Sequence, residues 1–454
     1  MQFSSDDLSK IFQQLVQYGI DDISIDSRSV KNNDLFVAIN GENTDGHNYV
    51  KQAIENGASL AVVEHDVVDV DSSKLIKVSS SLEALDLMAK YNVSRCNARI
   101  IGVTGSVGKT TTRSLIYHLL KYIKNVDAIY TTRKNFNSKI GLPICVATMP
   151  HNTEIGVFEM GMGAFCDIRH LVQIVQPTVS VITTVCEAHL QYFNNLWEIA
   201  KAKSEIFETQ IPQEYAIIPG DSPFTEFMTN YAKQFGVKNV MTFGKGDAEI
   251  ISEVHNGKST YIKAKILGKL FEYKINFDNV HDSLAAILAV KSMINVSLNE
   301  LIDGLASFGS LSDRGGNYYI ENRNIEIIND TYNACPTSLK AGIQAMSYKS
   351  AQRKILIVGD MLEIGLDSVH MHENISATVD KYGIDKVFAC GEECRKLFNN
   401  LQLNKQGIWC ENSHKLAKAI VDFIDDGDCV LVKGSHSMHM DYVVNYLKEK
   451  LEKK

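Results

Sequence analysis

The chain has 454 residues, 45% hydrophobic and 22% charged, enough for about two to four globular domains with cores of their own. Its net charge of −8 and the lack of any long basic run exclude nucleic acid as the main partner. No stretch approaches the roughly 18 apolar residues of a membrane span. Nine cysteines without CxxC or zinc spacing read as free thiols of a reducing compartment, and Cys145, Cys166 and Cys186 are expected to be buried in their apolar contexts. The start, MQFSSDDLSKIFQQL, has neither the basic nor the apolar region of a signal peptide, so a cytoplasmic location is expected.

Residues 1–85 read as a first, small α/β unit. Alternation at 22–25 and the run at 35–39 predict strands, 49–56 predicts a helix closed by Gly57, and 61–63 predicts another strand. Asp26, Ser27 and Arg28 lie between the first two strands, and Asp45-Gly46-His47 precedes the helix. Both are polar loops at strand ends, fit either for ligand contact or for ordinary turns.

A helix at 82–93 leads into a second unit, 86–313, and its key stretch RIIGVTGSVGKTTTRSLIYHLLKYI. Ile100, Ile101 and Val103 predict a buried strand, Gly105-Ser106-Val107-Gly108 a tight turn, and Thr110 onward a helix with Leu115, Ile116, Leu119, Leu120 and Ile123 on one face. This is the layout of a phosphate-binding loop, in which N–H groups of the turn and helix start face an anion. The pattern is TGxxGKTT and not GxxxxGK[ST], because Val103 stands where that motif needs glycine. Lys109 is expected on the β- and γ-phosphates of a nucleoside triphosphate and Thr110 on Mg²⁺.

Downstream, Asn135 and Asn137 flank Phe136 in a loop suited to orienting a polar substrate. Glu159 ends a predicted strand at 154–159, and His189 follows another at 178–185. Such residues are usually structural; in a phosphate-loop domain the pair also suggests Mg²⁺ ligation. A helix at 197–207 carries Lys201, Lys203 and Glu205, 214–219 is a strand, and 261–275 reads as an antiparallel hairpin around Leu267-Gly268-Lys269. Asn279 and Asp282 lie i,i+3 on an Ala-rich helix at 278–290, spaced to face a base.

Residues 314–454 alternate strands and helices in a doubly wound α/β pattern, and the absence of GxGxxG argues against a nicotinamide cofactor. Polar residues gather at its strand ends: Asp330, Tyr332 and Asn333, then Gly359 and Asp360, then Lys433, Gly434 and Ser435.

Taken together, the fragments DSRSV, DLFVAINGENTDGH, VTGSVGKTTT, NFNSKIGLP, FEMGMG, EAHLQYF, AKAKSEIF, NDTYNACPTS, GDMLEIG and LVKGS, in this order along nearly the whole chain, resemble the Mur ligase family. The resemblance implies three domains: a small α/β domain (1–85) for a UDP-linked substrate, a central ATPase domain with a mostly parallel sheet (86–313), and a Rossmann-like ligase domain (314–454). It implies an ATP- and Mg²⁺-dependent amide ligase acting as a monomer. NDTYNACP points within the family to UDP-N-acetylmuramoyl-tripeptide and D-alanyl-D-alanine as substrates, and the DNPR motif of the diaminopimelate- or lysine-adding member is absent. A sister ligase, such as a folylpolyglutamate synthase, and a regulatory ATPase are the rival readings.

Residue by residue, the resemblance assigns Gly105, Ser106, Val107, Gly108, Lys109, Thr110 and Thr111 to the ATP phosphates. Asn279 and Asp282 fall near adenine, and Arg314 and Asp330 reach the phosphates and ribose. Thr110, Glu159, His189 and Lys203 are the implied metal ligands, with Lys203 carbamylated by CO₂. Asp26, Ser27 and Arg28 are uridine-nucleotide contacts, and Asn135, Asn137, Tyr332 and Asn333 are substrate contacts. The chain departs from the family pattern at Ser138, Asp278, Asp282, Cys335 and His436, the third of these replacing an Asn and the fourth standing where a second Asn is usual.

Overall fold

The computed structural model describes residues 2–41, 44–123, 128–133, 135–256, 259–276, 280–309 and 316–453. Its short apolar strands collect into three sheets. The first is parallel and sequential: β1 (Ile23–Ser24), β2 (Leu35–Val37), β3 (Leu60–Val63) and β4 (Leu75–Lys77). β2 and β3 are buried at every position, as parallel strands covered on both faces must be. The helix expected at 49–56 is a 3₁₀ turn, Gly46–Tyr49, running into Val50–Glu55, and Gly57 with φ +120° ends it.

Helix Ser81–Arg95 serves two units at once. Asn92 donates to the carbonyls of Val146 (2.8 Å) and Met149 (2.9 Å), while Arg95 pairs with Asp7 at 2.8 Å. The expected division at 85 falls inside this helix, and the one at 313 lies outside the described residues.

The second sheet has nine strands: β5 (Arg99–Thr104), β6 (Ile129–Thr131), β7 (Ile155–Glu159), β8 (Val179–Ile182), β9 (Tyr215–Pro219), β10 (Asn239–Gly244), β11 (Ala248–His255), β12 (Thr260–Ile266) and β13 (Lys269–Ile275). Their order is β13-β12-β11-β10-β9-β8-β5-β7-β6, and only the β11–β13 pairings are antiparallel. Alternation along β5 sends Ile100 to one core and Ile101 and Val103 to the other. The second core takes the apolar face of helix Lys109–Ile123, where Leu115, Ile116, Leu119 and Leu120 are fully buried, each stabilising by about 1.5–3 kcal/mol. Helix Val280–Met293, apolar nearly all round, covers that helix. β10, β11 and helices Thr225–Gln234 and Asp167–Val175 are not foreseen above; β11, AEIISEVH, breaks the polar–apolar alternation of a strand at Ile250-Ile251 and stays largely exposed, which weakens its signal.

The third sheet orders β14 (Tyr318–Ile320), β15 (Ile325–Asp330), β16 (Arg353–Gly359), β17 (Lys386–Cys390), β18 (Gln406–Cys410) and β19 (Asp428–Lys433) as β14-β15-β19-β16-β17-β18. All pairings but β14–β15 are parallel, which makes this the expected doubly wound unit. No helix among the described residues is long and apolar enough to cross a membrane. Of the three cysteines singled out above, Cys145 and Cys186 are buried, whereas Cys166 is exposed. Cys166 begins helix Asp167–Val175 at the surface with φ +68° and accepts a hydrogen bond from Arg169.

Candidate active site

β5 lies between β7 and β8, so strand order reverses at its carboxyl end, the crevice where open α/β sheets hold ligands. The turn there must carry glycine. Gly105 has φ +152°, and a Cβ on it would lie 1.8 Å from Thr183 Oγ1. Gly108 has φ +88°, and a Cβ would lie 2.5 Å from Asp282 Oδ1. The segment after β8 braces the turn: Thr183 and Thr184 hydroxyls donate to the Val107 carbonyl (2.6 and 2.8 Å), and the Val107 N–H donates to Thr184 (3.0 Å). Lys109 Nζ folds back onto the Gly105 (2.8 Å) and Ser106 (3.3 Å) carbonyls, placing its charge over the loop. Thr111 continues the helix one residue beyond Thr110.

Glu159, 3% exposed at the end of β7, takes a hydrogen bond from Thr110 Oγ1 at 2.8 Å and one from Asn137 Nδ2 at 2.8 Å. Arg113, also buried, stands 3.6 Å away, and the Glu159 N–H donates to Thr132. Thr110, Asn137 and Glu159 are thus one hydrogen-bonded set. Asn135 is exposed on the same loop and holds it through its carbonyl, which accepts from the Asn137 N–H at 2.8 Å.

Lys203 is 1% exposed and has no hydrogen-bond or ion-pair partner among the described residues. Burial first, then the charge of Lys109, holds its amine well below the ordinary lysine range. His189, with φ +63°, is bonded through Nδ1 to Glu363 Oε2 at 2.7 Å, which leaves Nε2 for another partner. Burial pushes its imidazole down and Lys203 and Lys109 push it further, against the pull of Glu363. The Thr110 hydroxyl and the Glu159 carboxylate offer the oxygen donors, and His189 Nε2 the nitrogen, that suit a hard divalent cation.

The third domain reaches the same edge. Lys433, 2% exposed at the end of β19, donates to Asp330 at 2.6 Å and to the Asn333 carbonyl at 2.9 Å. Asn333 caps its own turn through Oδ1 to the Ala334 N–H (2.8 Å), and Tyr332 turns its ring toward His436 at 6.1 Å. Asp282 is buried, with its carboxylate beside Gly108 of the phosphate loop. Its expected companions Asn279 and Arg314 lie outside the described residues, as does Asp278. In the first domain, Arg28 forms an exposed two-point pair with Asp26 (2.8 and 2.9 Å), while Ser27 is buried with its hydroxyl on Gln52 at 2.8 Å.

Arg113, Thr132 and Glu363 are missed by sequence reasoning. Arg113 sits i,i+3 from Thr110 on the buried helix face, and Glu363 lies inside the GDMLEIG run, so both were within reach of pattern reading. Two tight groups of potential metal ligands lie elsewhere, Asp45/His47/His65 and Asp360/His372/Cys394. In each the buried histidine has both ring nitrogens in hydrogen bonds, His47 to Asp45 and the Glu64 N–H, His372 to Ser368 and the Met361 N–H.

Three family models cover the chain in order: Mur ligase family, catalytic domain (19–93), Mur ligase middle domain (103–290), and Mur ligase, glutamate ligase domain (318–436). The UDP-N-acetylmuramoyl-tripeptide–D-alanyl-D-alanine ligase of Rickettsia prowazekii is 32% identical over 430 residues, 94% of each chain. That of Bacillus subtilis is 31% identical over 444 residues, 96% of this chain and 94% of its own. Among solved structures, MurF from Acinetobacter baumannii superposes with a TM-score of 0.87 at 26% identity, covering 98% of this chain and 99% of that one. The MurF ligase from Thermotoga maritima in complex with ADP gives 0.81 at 27% identity, covering 95% and 98%. The family motifs, the three-sheet architecture and these full-length relatives agree: the chain belongs to the Mur ligase family of ATP-dependent ligases.

Proposed function

We propose that this enzyme joins D-alanyl-D-alanine to UDP-N-acetylmuramoyl-tripeptide in peptidoglycan synthesis, as a cytoplasmic monomer that uses ATP and Mg²⁺. The observation that carries the ligase chemistry is one sheet edge holding the Lys109 loop, the Thr110–Glu159–Asn137 set and the buried Lys203, which has no partner among the described residues. The full-length relation to ligases of that name supports the choice of substrates. In this reading residues 1–85 hold the uridine nucleotide through Asp26, Ser27 and Arg28, 86–313 hold ATP, and 314–454 bring Asp330, Tyr332 and Asn333 to the reacting groups.

A carboxylate resists an amine because its leaving group would be oxide. Transfer of the γ-phosphoryl group from ATP to the tripeptide carboxylate gives an acyl phosphate, whose leaving group is phosphate. The dipeptide amine then attacks the acyl carbon, a tetrahedral intermediate forms, and it collapses with loss of phosphate and a proton. Lys109 offsets negative charge on the transferring group, and the N–H groups of 105–110 orient it. Glu159 fixes Thr110 and Asn137 at its two oxygens, so the phosphate loop and the substrate loop move as one. Thr110, Glu159, His189 and Lys203 as its carbamate would hold Mg²⁺, which supplies charge neutralisation when bound. Once deprotonated, the Lys203 amine adds to CO₂ through its nitrogen lone pair and releases a proton, which converts a neutral amine into an anionic oxygen donor.

Phosphate release from Mg·ATP tests the reading. Release that requires both the UDP-linked tripeptide and D-alanyl-D-alanine, with a pentapeptide product by mass spectrometry, is expected with a diaminopimelate- or lysine-containing tripeptide. Release that responds to diaminopimelate or glutamate and not to the dipeptide overturns the substrate assignment.

A further inference from the structure

Two loops meet beside the phosphate loop, one from each of the larger domains. Residues 183–189 follow β8, and residues 331–335 follow β15. Cys186 and Cys335 lie at their contact, 7% and 5% exposed, packed with Ala188 and Val107 into one small apolar cluster. The cluster brings the two thiol-bearing side chains together across the domain boundary. The resemblance to the family gave no reason for sulfur at 335, where the motif usually carries Asn.

The contact is held on every side. Thr337 Oγ1 donates to Glu187 at 2.7 Å, joining the same two segments one residue beyond Cys186 and two beyond Cys335. Ser106 Oγ of the phosphate loop bridges the Cys186 N–H and carbonyl, both at 3.1 Å. Cys335 is the N-cap of helix Pro336–Ser347; its N–H donates to Ser338 Oγ at 3.0 Å, with the thiol 3.4 Å from the same hydroxyl. A helix N-terminus favours thiolate. The Cys186 thiol, with Ser338 and Lys433 and against burial, brings the Cys335 thiol down to about 6, while Cys335 and burial push Cys186 up.

We propose that Cys186 and Cys335 form a reversible disulfide under peroxide, a modification site that locks the third domain onto the phosphate-loop domain. The Cys335 thiolate attacks one peroxide oxygen, giving a sulfenic acid and hydroxide. The Cys186 sulfur then attacks the sulfenyl sulfur, an S–S bond forms, and the S–O bond breaks. Two electrons pass from the sulfurs to peroxide, and both thiol protons end in the two waters released. Exchange with a low-molecular-weight thiol reverses the bond. The lock acts because nucleotide and product must enter and leave between these two domains, which a covalent tie beside Ser106 prevents from parting.

The experiment is treatment of the reduced, full-length enzyme with hydrogen peroxide, followed by peptide mapping without reductant and by phosphate release with both substrates. A peptide pair joined through Cys186 and Cys335, lost with dithiothreitol, absent in C186S, C335S and C335N and kept in C166S, is expected. Phosphate release should fall at least about tenfold in the joined enzyme and return with dithiothreitol. Oxidation confined to exposed Cys166, or sulfinic acid at Cys335 without the joined pair, overturns the site. A joined pair with unchanged phosphate release overturns the lock. The lock rests on the ligase reading and the bond does not: an enzyme inactive before peroxide fails the former, and an active one that forms no bond fails the latter.

Discussion

Lys203 and Lys433 are equally hidden and treated in opposite ways. Lys433, 2% exposed, spends its ammonium on Asp330 and the Asn333 carbonyl. Lys203, 1% exposed, has no such partner among the described residues, and burial with the nearby Lys109 drives its amine toward neutrality. A buried charge costs several kcal/mol unless it is paired. Lys433 therefore reads as architecture, tying the ends of β15 and β19 together. Lys203 reads as chemistry held ready: a neutral amine is a nucleophile, and an ammonium is not.

The largest effect that tests this contrast is on activity. Lys203→Ala should lower kcat by about 10²- to 10³-fold, because an anionic donor at the reacting phosphoryl group is removed. Bicarbonate or a short carboxylic acid should restore part of it. Full activity in Lys203→Ala, measured by phosphate release, sinks the carbamate. Lys203→Met should fold as well as the parent or better by thermal denaturation, since it removes an uncompensated buried amine at nearly constant volume.

Next comes the residue that presents His189. Glu363→Gln keeps the shape but loses the carboxylate that fixes the Nδ1 side of the ring at 2.7 Å. Activity should fall by about 10- to 100-fold, with a raised Mg²⁺ requirement in a metal titration. An unchanged Mg²⁺ profile would make this contact a domain latch only.

Asp330→Ala tests the other lysine. It strands the Lys433 ammonium inside the third domain. Breaking a buried pair costs about 3–5 kcal/mol; with the Asp330 side chain 38% exposed, about 2–3 kcal/mol is expected by urea denaturation. Replacing both residues, Asp330→Leu with Lys433→Met, should recover most of that stability without recovering activity.

How much of this was legible in the sequence divides along the same line. The phosphate loop is written locally: Gly105 and Gly108 must be glycine for steric reasons, and Lys109 and Thr110 follow directly. Glu159 and His189 are legible as strand-end residues, and Arg113 and Glu363 lie in readable patterns, but the pairing of these residues with one another is not legible. Arg113, Thr132 and Glu363 reach them from 46, 27 and 174 residues away, and no period records such distances. Cys335 was legible only as a departure, because its meaning lies in a contact with Cys186, 149 positions earlier. The exposed Cys166 was misread as buried, since the apolar run around it belongs to the helix it begins and not to its own position. Residues 277–279 and 310–315, which hold Asn279 and Arg314, leave those two assignments resting on motif alone.

The smallest effect separates plain architecture from both lysines. Asp7 joins the first helix to Ser81–Arg95, accepting from Tyr91 at 2.9 Å and pairing with Arg95 at 2.8 Å, far from the sheet edge. Burial pushes its carboxyl up, but the Ser4 amide and hydroxyl, the Tyr91 hydroxyl and Arg95 outweigh that and bring it down to about 2. A depressed carboxyl contributes stability above its unfolded value of about 3.9, and that contribution is lost as pH falls through the folded value. Asp7→Asn should therefore cost about 1–2 kcal/mol at pH 7 by urea denaturation, with the gap to the parent narrowing below about pH 4. Its kcat should stay at the parent value. A drop in kcat without a drop in stability would place this joint in the catalytic cycle, and the division between structural and chemical ion pairs would fail at its simplest case.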